Sequence, residues 1–178
     1  AARQCSQWPQ AEYSQGTPDG SRPGIFYVPV PDATKHNVVG GESLFLHEAI
    51  PGHHYQVSLQ QENTALPTFR RFLWYGAYGE GWALYTESLG RELGLYTDPY
   101  QYFGMLSSEM HRAIRLVVDV GMHTKGWTRE QAIQFSMDNE SDTEESITAE
   151  IERYMAIPGQ ALSYKIGQLK ILELRARA

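Results

Sequence analysis

Apolar positions divide this chain near residue 41. Residues 1–24 are polar and rich in Gly, Pro and Ser, with no clear period, and predict a loop-rich lead-in. The short apolar run from Gly24 to Val30 then predicts a β edge strand over 25–30, edged by Pro29, which cannot donate to a ladder. From 41 to about 176 the pattern is helical. A helix broken at Pro51 and Gly52 is expected over 42–50 and 53–62, and a long one over 68–93. Asp98 followed by Pro99 opens a third that runs to about Thr124, before Gly126. Thr128 with Gln131, and Ser141 with Glu144, are capping-box pairs opening two more, and Pro158 starts the last, to about Arg175. The expected fold is mainly α, one domain over 1–178.

Residues 47–54 concentrate the chemistry. His47, Glu48, His53 and His54 lie on one apolar stretch. In the zinc-peptidase pattern two histidines four apart bind the metal, and the glutamate after the first is the general base. Here Pro51 stands where the second ligand would fall. Its ring meets the carbonyl four residues back, so the helix must distort. In an undistorted helix His53 would point about 120° away from His47, and His54 would share its face about 10 Å along the axis. A bulge at Pro51 and Gly52 brings His53 into place, which makes His47 and His53 the expected ligands, with His54 the alternative.

A catalytic zinc usually takes three protein ligands and keeps one position open. Glu80, flanked by Gly79 and Gly81 in an aromatic helical pattern, supplies the third, because a carboxylate buried there needs a partner. Glu87, two turns on, is expected to orient a ligand. Two imidazoles and a carboxylate suit Zn2+ better than Mg2+ or Ca2+.

Further along, Arg115, Asp119 and His123 recur every four residues and share a stripe. Arg115 could bind a substrate carboxylate or pair with Asp119, and His123 could donate to a developing oxyanion or cap its helix. The strand carrying Tyr27 could add to an extended substrate backbone, or be structural only.

Composition narrows the partners. The 178 residues are 42% hydrophobic and 12% aromatic, enough for a sizeable core. A formal net charge of −6 argues against nucleic acid. Cys5 is the single cysteine, so no internal disulfide forms. No apolar run reaches the length of a membrane span, and the first residues lack the pattern of a signal peptide.

The run His47 to His54, the run Gly79 to Tyr85 and the run Pro158 to Tyr164 together resemble the bacterial DUF885 family. Asp19 to Val28, and the stretch from Arg112 through Asp119 and His123 to Trp127, also fit it. The resemblance implies a glutamate zincin, with two histidines on one helix, a glutamate ligand on a following helix, and Glu48 activating water. It also implies a helical catalytic domain that is the carboxy-terminal part of a longer protein, an amino-terminal helical portion packed against it, and a periplasmic or envelope-anchored address. Arg153, Tyr154, Gln160 and Tyr164 belong to the third motif region. Arg153 is expected at the substrate, and either tyrosine could stabilise the tetrahedral intermediate or simply pack in the core. The expected activity is zinc-dependent peptide hydrolysis. Two alternatives are hydrolysis of small non-peptide amides and an inactive helical envelope module that binds partners.

Overall fold

The computed structural model describes residues 11–30, 32–34, 36 and 38–178. Cys5 and the first ten residues of the expected lead-in lie outside the described residues. The rest of that lead-in is not all loop. Strand β1 (Glu12–Ser14) pairs antiparallel with β2 (Ile25–Tyr27), Glu12 opposite Tyr27. A strand of three polar-flanked residues has too few positions to show a period. What makes it a strand is its partner, brought back by a turn in which the Thr17 N–H donates to the Arg22 carbonyl at 2.9 Å. The expected edge strand over 25–30 ends at Tyr27, ahead of Pro29.

Helices α1 (Gly41–Glu48) and α2 (His53–Glu62) flank the expected break, where the Ile50–Pro51 peptide is cis. The expected helix over 68–93 is instead two, α3 (Thr68–Phe72) and α4 (Gly76–Ser88), with Leu73 and Tyr75 extended between them. Gln60 explains the interruption: its amide donates to the carbonyls of Arg70 at 2.8 Å and Leu73 at 3.1 Å, satisfying acceptors that a continuous helix would have used. The freed Trp74 ring fills the space above Gly79, where a Cβ would approach it to 2.1 Å.

The caps of α5 (Pro99–Lys125) follow the reading from sequence. The Asp98 carboxylate accepts from the Tyr100 N–H, Pro99 takes the first turn, and Gly126 closes the helix at φ 68°. Helix α6 (Arg129–Asn139) carries the expected Thr128–Gln131 capping box. Helix α7 (Glu144–Ala156) is capped by Thr143 rather than Ser141. Asp142 decides this by accepting from the Thr143 N–H and the Ser146 hydroxyl. The last helix, α8 (Ser163–Arg177), begins five residues after Pro158, because Gly159 at φ 82° makes a turn there. That turn is pinned across the fold, since the Gly159 N–H donates to the Asp119 carboxylate at 3.0 Å.

Ile114 and Val118 of α5, Ala132 of α6, Ile147, Ile151 and Tyr154 of α7, and Ala161 form the main buried cluster. Full burial of a side chain such as Ile151 stabilises by about 1.5–3 kcal/mol. A second cluster joins Leu46, Tyr96 and Met105 beneath α1. The closest helix crossing is α4 on α8. A Cβ on Gly81 would come within 2.4 Å of the Gly167 Cα, and one on Gly167 within 1.9 Å of the Ala77 carbonyl oxygen. Two glycines thus let α8 lie directly on the helix that carries Glu80. Among the described residues no helix is long and apolar enough to cross a membrane.

Candidate metal centre

The break after α1 sets the site. Gly52 folds back so closely on α1 that a Cβ would lie 1.9 Å from the His47 carbonyl oxygen. Helix α4 clamps this turn: the Trp82 indole donates to the Pro51 carbonyl at 2.7 Å, and the Thr86 hydroxyl to the Leu46 carbonyl at 2.9 Å. Helix α2 therefore restarts at His53, whose ring meets that of His47 edge-on at 4.7 Å between centroids.

Glu80 completes the group. Its Oε2 lies 3.6 Å from His47 Nε2 and 3.3 Å from His53 Nε2, and one donor atom from each residue falls within 4.8 Å of the other two. These three residues could hold a metal ion. Two donors bound tetrahedrally to one zinc at about 2.0–2.1 Å sit about 3.3 Å apart, so the donor spacing fits. A second observation agrees: Glu80 Oε2 is buried and accepts no hydrogen bond, while Oε1 takes a long one, 3.4 Å, from the Gln160 amide. An orphaned buried carboxylate oxygen calls for a cation.

Further groups hold the ligands. His47 Nδ1 lies 2.7 Å from Glu87 Oε1, the carboxylate–histidine arrangement that fixes which ring nitrogen faces a metal. Glu87 in turn accepts from the Ser43 hydroxyl at 2.5 Å and from the Ser108 hydroxyl at 3.1 Å, and Arg112 donates to Ser108 at 2.6 Å. Burial alone would lower the His47 pKa, but Glu80 and Glu87 outweigh it and push it up to about 9. Burial raises the carboxyls of Glu80 and Glu87, yet the imidazoles beside them hold both below the usual range. Glu48 differs. Burial pushes its pKa up against the pull of His47 and His53, and its Oε2 accepts the Tyr13 backbone N–H at 2.9 Å. It shares a cavity of about 480 Å³ with His47, His53, Glu80, Trp74 and Tyr164.

Of the other expected site residues, His54, His123, Tyr154 and Tyr27 lie elsewhere, while Arg115 and Arg153 line a neighbouring cavity that His47, Glu48 and Tyr164 also line. The alternative ligand His54 turns its Nδ1 to the Tyr13 hydroxyl at 3.1 Å and is not in the donor group. His123 Nε2 meets the Tyr154 carbonyl at 3.1 Å, near the end of α5, and lines neither this cavity nor the one beside it. The Tyr154 hydroxyl is buried in the core between Arg115 Nε, at 2.7 Å, and Glu150 Oε2, at 2.9 Å. Tyr27 stands in β2 and lines neither cavity; it is β1, through Glu12 and Tyr13, with the flanking Ala11 and Gln15, that borders the site. Arg115 pairs with Glu150 at 2.7 Å instead of Asp119, because Asp119 is engaged by the Gly159 N–H. Arg153 also binds Glu150, at 2.9 Å.

Of the two tyrosines of the third motif, Tyr164 lines the cavity, its ring stacked 6.1 Å from that of His47. Ser43, Ser108, Trp74 and the Tyr13 N–H escaped the sequence reading. Ser43 alone carried a signal, standing one turn before His47 on the same face.

The family described as "Bacterial protein of unknown function (DUF885)" matches residues 2–178. Among solved structures, "the putative lipoprotein from Colwellia psychrerythraea" is 47% identical and superposes with a TM-score of 0.93, covering 99% of this chain and 30% of its own. "A putative lipoprotein of unknown function from Shewanella oneidensis" is 26% identical, with a TM-score of 0.77 over 95% of this chain and 33% of its own. The chain spans about a third of the length of these two relatives. No curated protein matches.

Proposed function

This chain belongs to the DUF885 family, and from its residues we propose that it is the catalytic portion of a zincin-like metallopeptidase. One observation carries the reading: His47, His53 and Glu80 converge around a carboxylate oxygen that has no other partner, with Glu48 on the wall of the same cavity. His47 Nε2, His53 Nε2 and Glu80 would hold Zn2+, which when bound supplies Lewis acidity and lowers the pKa of water toward about 7. Three protein donors leave a position for water and substrate.

Glu48 is the general base. Its raised pKa suits a carboxylate that takes a proton from water and gives it to the leaving amine. The Tyr13 N–H fixes one of its oxygens and leaves the other available. Glu87 holds the His47 ring and compensates charge on it, while Gln160 steadies Glu80 from the side away from the histidines. Tyr164, whose pKa burial raises, keeps its proton and can donate a hydrogen bond to the oxyanion of the tetrahedral intermediate. The two relatives are described as lipoproteins, and we place this chain likewise in the bacterial envelope. The exposed aromatics Phe69, Phe72, Tyr75 and Tyr78 suit packing against further helical chain.

Elemental analysis and a peptide panel test the reading together. The purified chain should hold about one zinc and cleave peptides, and Glu48→Gln should keep the zinc while losing hydrolysis by about 100-fold or more. Wild-type turnover in that variant would exclude Glu48 as the base. A chain that cleaves small amides and no peptide would move the activity to the amidohydrolases.

A further inference from the structure

Tyr164 touches two groups of charge. Its ring stacks 6.1 Å from that of His47. Two guanidiniums also lie over it, Arg115 Cζ at 4.7 Å from the ring centroid and Arg112 Cζ at 5.6 Å. They line a second cavity of about 430 Å³, which His47, Glu48 and Tyr164 also line. Its size lies within the range of about 300–1,000 Å³ usual for small-molecule sites.

Both arginines keep an unused donor. Arg115 is 6% exposed; its Nε donates to the Tyr154 hydroxyl and its Nη2 to Glu150, but Nη1 is buried with no acceptor. Arg112 Nη1 donates to Ser108, and its buried Nε has no acceptor. Leaving such charged donors unmet costs free energy, so the arrangement calls for an acceptor from outside the chain. Three of the four carboxylates in this lining are already engaged, and the fourth, Glu48, accepts the Tyr13 N–H. Glu150 is divided between Arg115 and Arg153, Glu140 lies 2.5 Å from His111 Nδ1, and Asp142 accepts from Thr143 and Ser146.

Arg115 and Arg153 share the Glu150 carboxylate, and the unmet donors are on Arg112 and Arg115. Planar guanidinium forks match a carboxylate. The acidic groups Glu48, Glu140, Asp142 and Glu150 in the same lining disfavour a dianion and admit a singly charged one.

We propose that this cavity binds the free terminal carboxylate of a peptide, making the protein a carboxypeptidase that cuts close to the carboxyl end. The inference rests on the metallopeptidase reading and narrows its substrate class. The 6.1 Å from the His47 ring to the Tyr164 ring and the 4.7 Å from there to Arg115 Cζ bound the reach from the ligands to the anion site. That reach is about three residues of extended chain at most, at about 3.3–3.6 Å each, so the released fragment is one to three residues long.

The test compares N-acetylated peptides ending in a free carboxylate with the same peptides amidated. With the zinc-loaded protein, the free acid should be cleaved with a kcat/KM at least about 10-fold higher, consistent with a charge-assisted hydrogen bond, and should release fragments of one to three residues. Equal cleavage of acid and amide, or cuts in the middle of long peptides, would overturn the inference while leaving the peptidase reading standing. Calorimetry on the metal-free protein separates the two claims. Tighter binding of an N-acetyl dipeptide acid than of its amide supports the carboxylate site even if no peptide is hydrolysed, an outcome that would defeat the hydrolase reading, and the carboxypeptidase activity with it, while leaving the binding site. No preference for the acid in that measurement would overturn the inference.

Arg115→Gln should bring the acid-to-amide ratio near one. Because Arg115 also ties Glu150 and Tyr154, Arg112→Gln serves as the second variant, with the same expected fall in the ratio. Both variants folded and still discriminating would overturn the proposal.

Discussion

Two buried clusters of charge touch Tyr164 and are built in opposite ways. Around His47, three carboxylates, Glu48, Glu80 and Glu87, surround two imidazoles, and Glu80 Oε2 is left without a donor. Around Glu150, a single carboxylate is held by Arg115, Arg153 and the Tyr154 hydroxyl, and the unused atoms there are donors. The first cluster lacks a cation and the second lacks an anion. Burial makes each shortage costly, so the difference teaches where a metal and where a negatively charged group belong. The Glu150 cluster also bridges α5 and α7 over the main core, whereas the His47 cluster is clamped at a helix break. One is therefore expected to carry stability and the other metal affinity.

Crossing the two clusters by mutation sharpens this contrast. Glu80→Ala should abolish stoichiometric zinc by elemental analysis, while the metal-free protein loses only the pairing of Glu80 with His47 and His53 and stays folded. Full zinc content in that variant would remove Glu80 from the ligand set. Glu150→Gln should do the reverse. Breaking a buried ion pair from one side costs about 3 kcal/mol, the low end of the usual range because the side chain stays 12% exposed. That corresponds to a fall in Tm of roughly 6–12 °C for a chain of this size, with zinc content unchanged.

A smaller effect is expected at Glu87→Gln, which keeps a partner for His47 but removes its charge. Zinc affinity should drop by about 10- to 100-fold, measured by competition with a chelator. An unchanged affinity would show that Glu87 serves folding alone. The mildest manipulation is acid. Burial opposes ionisation of Glu150, but His111, Arg115 and Arg153 hold its pKa far below the unfolded value of about 4.3. A depressed carboxylate contributes stability that is present above its unfolded pKa and lost as pH falls through the folded one. Denaturant midpoints should therefore decline from about pH 4.5 downward, and less steeply in Glu150→Gln than in wild type. Parallel declines would mean that other carboxylates set the acid limit.

Reading from sequence reached the local features. The caps at Asp98 and Thr128, the break at Pro51 and Gly52, and the His47–Glu48–His53 cluster all depend on spacings of a few residues. The sequence reading was weaker wherever a distant group intervened. The helix expected over 68–93 is interrupted because Gln60 takes the carbonyls of Arg70 and Leu73. The last helix starts late because Asp119 holds the turn at Gly159. Arg115 and Asp119 share a helical stripe and could have paired. Glu150 and Gly159, 35 and 40 residues away from them in the chain, claimed them separately.

The same division holds at the site. Sequence alone determined which residue types could ligate a metal, that they stand on either side of a broken helix, and that Glu80 sits among glycines on another. Tertiary structure brought the expected His53, and not the alternative His54, into the donor group, and it alone gave Glu87 to His47 and placed Tyr164 at the cavity while burying Tyr154 in the core. The reason is geometric. Local periodicity sets the face on which a side chain emerges. What that face meets depends on how closely helices approach, and here two glycines, Gly81 and Gly167, bring α8 and its Tyr164 against the helix that carries Glu80.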